Sequence, residues 1–241
     1  MIVGDGKKAN KLVGGIDVDI DDYSFYVSLR LHHNNICGGS MINENHILTT
    51  ASCITLGKNI FLSNIEILIG SNDIIGFDAV ASFHDVSLVI IHPEYKPVEF
   101  WKNDISILRV MRNIKINLQV VLPSIEFLYE RFHLEIIGWG KPPLPFYIER
   151  LEKLNVYSIL RTECSKYFRS GYILSPGQSC ILPSIPAASF IKGDGGNPII
   201  TVKENHIVGM ISAISIYHPN LAIYTKVIVY VNWINDMIEN Y

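Results

Sequence analysis

The chain has 241 residues, 49% of them hydrophobic and 18% charged, with a formal net charge of -3. That length holds one large all-β domain or two compact barrels, the apolar content excludes a disordered chain, and the slightly acidic balance excludes a phosphate-tracking surface built on clustered Lys and Arg. No stretch approaches the roughly eighteen uninterrupted apolar residues that span a bilayer, so neither nucleic acid nor membrane is expected as a partner. Met1-Ile2-Val3-Gly4-Asp5-Gly6 lacks the apolar core of an export signal, and such a signal, if the protein is secreted, is expected upstream.

Taken in order, Phe25, Val27, Leu29 and Leu31 alternate with Tyr26, Ser28 and Arg30, which predicts a half-buried strand. His32-His33 are expected on an exposed hairpin. Short apolar runs follow at 47–48, 65–69, 87–91, 105–110, 134–137, 207–211 and 223–227, with turn signals at Asn34-Asn35, His92-Pro93, Pro142-Pro143 and Pro176-Gly177. This rhythm predicts an antiparallel sandwich or pair of barrels. A helical turn is expected over 160–168, and Val227, Tyr230, Val231, Ile234 and Ile238 recur at helical steps, so the chain is expected to end in an amphipathic helix.

Four cysteines, Cys37, Cys53, Cys164 and Cys180, allow three pairings, and composition favours buried free thiols as strongly as bridges. No Cys-x-x-Cys or zinc spacing occurs, so no metal and no cofactor is expected.

Lys192-Gly193-Asp194-Gly195-Gly196-Asn197-Pro198 resembles the Gly-Asp-Ser-Gly-Gly-Pro signature of the trypsin/chymotrypsin serine proteases. Leu12-Val13-Gly14-Gly15 is similar to that family's mature amino terminus, Cys37-Gly38-Gly39-Ser40 to its first disulfide strand, and Leu48-Thr49-Thr50-Ala51-Ser52-Cys53 to its histidine loop. His92-Pro93-Glu94-Tyr95, Asn103-Asp104-Ile105-Ser106-Ile107-Leu108, Gly138-Trp139-Gly140, Tyr224-Thr225-Lys226-Val227 and Tyr230-Val231-Asn232-Trp233-Ile234 resemble later motifs of the family in the same order. Each alone reads as a turn or strand end; together they span 12–241. The resemblance implies an all-β fold of two six-stranded antiparallel barrels, with bridges Cys37–Cys53 and Cys164–Cys180. It implies a leading activation segment at 1–11, barrels at about 23–121 and 127–227, and a C-terminal helix at about 228–240.

The family's chemistry requires a hydroxyl to attack, an imidazole to take its proton and a carboxylate to orient the imidazole. By the resemblance Asp104 holds the carboxylate position, while Ser52 stands at the histidine position and Gly195 at the serine position. A hydroxyl cannot replace imidazole as a base near neutral pH, so no catalytic residue is expected. Lys192 has no nucleophile to activate, and His46 stands at the wrong place on its strand. The amides of Gly193 and Gly195 still suit an oxyanion-type geometry, although a tight turn explains those glycines equally well. Ser189-Phe190-Ile191 and Ser212-Ala213-Ile214 alter the specificity pocket, and Phe190 and Ile214 are expected to fill it. Lys11 precedes Leu12 as a cleavage site would. Without cleavage Asp194 must stay solvated or find another donor, in a mobile segment. Gly70-Ser71-Asn72-Asp73 lacks the leading glutamate of the family's calcium loop.

The pattern predicts a secreted pseudoprotease that acts by protein binding. It is most similar to the inactivated protease paralogues of parasitic mites, relatives of the group 3 mite allergens. That resemblance implies host or self proteins as partners, complement components among them, and interference with host defence. The alternatives are a cofactor homologue of arthropod immune cascades and a hydrolase with rerouted chemistry. Loops 141–148 and 182–191 are candidate binding surfaces.

Overall fold

Short apolar runs account for several strands. Ile65–Ile69 and Ser106–Val110 bury nearly every side chain, as strands within a closed barrel must when one face meets the core and the other meets a covering layer. The computed structural model describes residues 14–55, 61–75, 78, 80–115, 120–123, 133–139, 150–168, 174–191, 193–215 and 218–241. Residues 1–13, Gly140, the loop 141–148 and Lys192 lie outside the described residues, and with them the Lys11 cleavage site.

Strands β2 (Tyr26–Leu31), β3 (Asn34–Met41), β4 (His46–Thr49), β5 (Ile65–Ile69), β6 (Ser82–Ile91) and β7 (Ser106–Val110) close in the order β2-β3-β4-β7-β6-β5. Closure comes from β2 on β5, with Val27 opposite Ile69 and Leu31 opposite Ile65. Strands β8 (Leu134–Gly138), β9 (Glu152–Ile159), β10 (Gln178–Pro183), β11 (Pro198–Thr201), β12 (Ile207–Ile214) and β13 (Ala222–Lys226) run β9-β10-β13-β12-β11-β8 and close by β8 on β9. A two-residue strand, β1 (Ile16–Asp17), adds to β9. The fold is two closed six-stranded antiparallel barrels with a C-terminal helix, the architecture that the resemblance implied.

Helix α1 (Arg161–Cys164) continues as a 3-10 turn, Ser165–Tyr167, within the expected 160–168. At the C-terminus a 3-10 turn, Val227–Tyr230, leads into α2 (Val231–Asn240). Val227, Tyr230 and Ile234 are buried while Asn232, Asn235 and Glu239 are exposed. The rings of Tyr230 and Trp233 lie 5.3 and 5.0 Å from His92, which seats the helix on the first barrel. Both bridges form, Cys37–Cys53 and Cys164–Cys180.

Two local expectations change. β2 is buried on both faces, because its polar residues meet a second layer. Tyr26 packs on Trp139 with ring centroids 4.6 Å apart, Ser28 donates to Asn35 Oδ1 at 2.8 Å, and Arg30 donates to the carbonyls of Ile74 and His33. The turn falls at His32-His33 rather than Asn34-Asn35. Both histidines take left-handed φ values of 49° and 65°, as a two-residue hairpin turn requires to match strand twist, while Asn34 and Asn35 begin β3.

Candidate functional site

The centre lies where the barrels meet. Ser52 stands in the 3-10 turn Ala51–Cys53 that follows β4, and Asp104 stands two residues before β7. Ser52 N–H donates to Asp104 Oδ1 at 2.7 Å and the Ser52 hydroxyl to Oδ2 at 2.8 Å. Ser212, on β12 of the second barrel, donates to the same Oδ2 at 2.5 Å. Thr225 on β13 donates to the Asp104 carbonyl at 2.9 Å. Asp104 is wholly buried. Burial pushes its carboxyl up to about 6, against the lowering effect of hydrogen bonds from Ser212, Ser52 and Ala51. The Asp104 carboxyl is thus satisfied by hydroxyls and amides, and the Ser52 side chain that meets it carries no ring.

Gly195 sits against the Cys37–Cys53 bridge, beside the turn that carries Ser52. A Cβ built on it would lie 3.4 Å from Cys37 Sγ and 3.6 Å from Cys53 Sγ, ordinary van der Waals contact. Its φ lies outside the left-handed region, unlike those of Gly193 at 114° and Gly196 at 74°. A Cβ on Gly196 would also approach Gly38 O to 2.3 Å. The tight-turn explanation therefore holds for Gly193 and Gly196 and fails for Gly195, where the backbone would accept a serine. Gly38 N–H donates to Gly195 O at 2.9 Å, tying this turn to β3.

Asp194 is neither solvated nor without a donor. It is wholly buried; Ile191 N–H donates to Oδ2 at 2.8 Å and Asn197 Nδ2 to Oδ1 at 3.3 Å. Burial pushes its carboxyl up to about 7, with the Ile191 N–H opposing the rise and Glu152 adding to it. Tyr26 hydroxyl donates to Asn197 Oδ1 at 2.6 Å. Asn197 went unremarked at the level of sequence, although it is the second departure from the Gly-Asp-Ser-Gly-Gly-Pro signature.

Of the residues expected to alter the specificity pocket, Phe190 is buried within the second barrel's core beside Ala188, Ile211 and Tyr224, and Ile214 packs against that cluster. Ser189 and Ala213 are half-buried. The exposed part of loop 182–191 is 184–187, where Ile185 is half in solvent. His46 is buried on β4 with Nδ1 3.0 Å from Asn43 Oδ1, and burial lowers its pKa; it packs there, remote from Asp104 by its place on the strand. In loop 70–73, Asn72 Oδ1 accepts from Ile20 N–H at 2.7 Å and Asp73 Oδ1 from Ile75 N–H at 2.8 Å, so these oxygens fasten the loop itself.

Sequence reasoning also missed an aromatic group three residues before Asp104. Phe100 and Trp101 are 39% and 37% exposed, with left-handed φ values of 51° and 52°. Gln178 Nε2, from a buried side chain on β10, donates to Phe100 O at 2.7 Å and holds that backbone. Phe168 completes the group, 6.2 Å from Phe100 in an edge-to-face arrangement.

Two closed barrels joined over a buried aspartate, with a glycine turn beside it, define a double-barrel architecture with its centre at the seam. The sequence pattern of the family described as Trypsin matches residues 12–234, and the chain belongs to the trypsin family of serine proteases. It is 29% identical over 239 residues to "Trypsin" of Phaedon cochleariae, covering 95% of this chain and 89% of that protein. It is 26% identical to "Hypodermin-A" of Hypoderma lineatum, covering 84% of this chain and 77% of that one. With "CLIP domain-containing serine protease B4" of Anopheles gambiae it shares 27% identity, covering 95% and 71%.

Proposed function

We propose that this protein is a catalytically inactive serine protease homologue that works by binding other proteins. The observation that carries the reading is the Ser52 hydroxyl hydrogen-bonded to Asp104 at 2.8 Å, in the place where a triad needs a proton-accepting ring. Covalent hydrolysis needs hydroxyl, imidazole and carboxylate in line, and a serine hydroxyl is no base near neutral pH. Glycine at 195 removes the attacking oxygen although the backbone has room for one. Phe190 in the barrel core, with Ile214 against the same cluster, supports a closed specificity pocket.

Phe100, Trp101 and Phe168 form the surface that best suits a protein partner, since exposed aromatic side chains on a fixed backbone dominate protein interfaces. Left-handed φ at two successive aromatic residues is costly and persists where the surroundings enforce it, commonly at functional sites. Two disulfides fit an oxidising compartment, and secretion is part of the proposal. The partners proposed are host proteins, complement components among them, with the chain acting on host defence by occupation instead of cleavage, as its resemblance to the inactivated mite paralogues implies. Affinity capture from host plasma together with a complement haemolysis assay tests this. A retained complement component and reduced haemolysis are expected; no retained protein and unchanged haemolysis would remove the host-defence reading. A second reading, a cofactor of an arthropod immune cascade, rests on the likeness to the CLIP-domain protease. Capture of a cascade protease from haemolymph, with plasma giving nothing, would favour it.

A further inference from the structure

In the trypsin pattern the partner of the aspartate before the nucleophile is a freed amino terminus. Here the carboxyl of Asp194 is already engaged from within the chain. Ile191 N–H and the Asn197 side-chain amide donate to its two oxygens, at 2.8 and 3.3 Å. The amide is itself fixed from the first barrel, because Tyr26 hydroxyl donates to Asn197 Oδ1 at 2.6 Å and Tyr26 packs on Trp139. Its seat is made by two glycines. A Cβ on Gly38 would come within 2.0 Å of Asn197 Oδ1, and a Cβ on Gly138 within 2.2 Å of Nδ2. The turn is fastened on its other side by Gly38 N–H to Gly195 O at 2.9 Å, Gly196 N–H to Ile211 O at 2.8 Å and Ile211 N–H to Asn197 O at 3.0 Å.

We infer that Asn197 is an internal lock for the Asp194 turn: it positions residues 193–196 by bridging Asp194 to Tyr26, so that the turn keeps its shape without cleavage after Lys11. An amide brings a donor without a charge, so it satisfies a buried carboxyl oxygen without placing a second ion in the site. Among the described residues, the titratable groups that face this carboxyl are Glu152 from the second barrel and the Tyr26 phenol from the first, and neither supplies a cation. The lock follows from the geometry of the turn alone and stands or falls separately from the binding function.

Hydrogen exchange across residues 189–197 tests it, using the full chain with Lys11→Gln, which trypsin cannot cut at that position, beside the parent cleaved after Lys11. The two are expected to show the same protection in this segment, within about twofold. Asn197→Gly in the uncut chain is expected to speed exchange there by about tenfold or more while β4 and β7 keep their rates. Tyr26→Phe, which keeps the ring and removes only the hydroxyl, is expected to raise exchange in the same segment and covers the case in which the glycine variant fails to fold. Free exchange in the uncut chain that becomes protected only after cleavage would overturn the lock. Unchanged exchange in Asn197→Gly would do the same, as would unchanged exchange in Tyr26→Phe.

Discussion

Asp104 and Asp194 carry into the folded chain carboxyls that prefer to be protonated, up to about 6 and about 7 from an ordinary 3.8. The native state therefore binds protons that the unfolded chain releases between pH 4 and 7, and stability that is full below about pH 4 is lost as pH rises through 6 and 7. Asp104→Asn isolates one of them, since its amide can still accept from Ser52 N–H and donate to the serine hydroxyls. Between pH 4 and pH 8 the parent is expected to lose on the order of 2–3 kcal/mol more unfolding free energy than this variant, read from urea denaturation at the two pH values. Equal slopes would mean that Asp104 ionises normally despite its burial. The other residue-scale test restores the chemistry: Ser52→His with Gly195→Ser should fold with a stability change within about 1 kcal/mol from the serine. No turnover of arginyl substrates is expected on the proposed reading that Phe190 and Ile214, which pack in the second barrel's core cluster, close the pocket. Substantial cleavage would refute the closed-pocket argument.

Among the elements, the strands built on short isoleucine-rich apolar runs were legible, as in Ile65–Ile69 and Ile207–Ile214, and so was the helical stripe through Tyr230 and Ile234. At the start of β3, Asn34-Asn35 look like turn chemistry although both lie in the strand, while 37–40 resembles a strand of the family and is one. Its Gly38 is present because the Asn197 amide lies where a Cβ would be, a contact between residues 159 positions apart that no local pattern contains. The Phe100-Trp101 backbone was equally hidden, since it depends on Gln178 reaching across from β10. Ser52, Asp104 and Gly195 could be placed because motif order carries them; Asn197 departs visibly from its signature, yet its role appears only with Tyr26 beside it. Gln178→Ala is expected to cost about 0.5–1.5 kcal/mol by removing the hydrogen bond to the Phe100 carbonyl. It should also weaken partner capture more than denaturation explains, by releasing the aromatic group. Full capture by a measurably destabilised variant would detach this group from binding.

For the whole molecule, the retained aspartate has a structural account that needs no catalysis. Asp104 receives Ser52 from the first barrel and Ser212 and Thr225 from the second, so it joins the barrels at the point where Gly38 also meets Gly195. A joint of this kind would persist without base and nucleophile, as the proposed inactive reading requires. Intact-mass analysis after a fluorophosphonate label, applied to the chain before and after cleavage at Lys11, tests the central claim most directly. No adduct in either form is predicted; a stoichiometric adduct on Ser52 or any other serine would contradict the reading of this chain as an inactive member of the trypsin family.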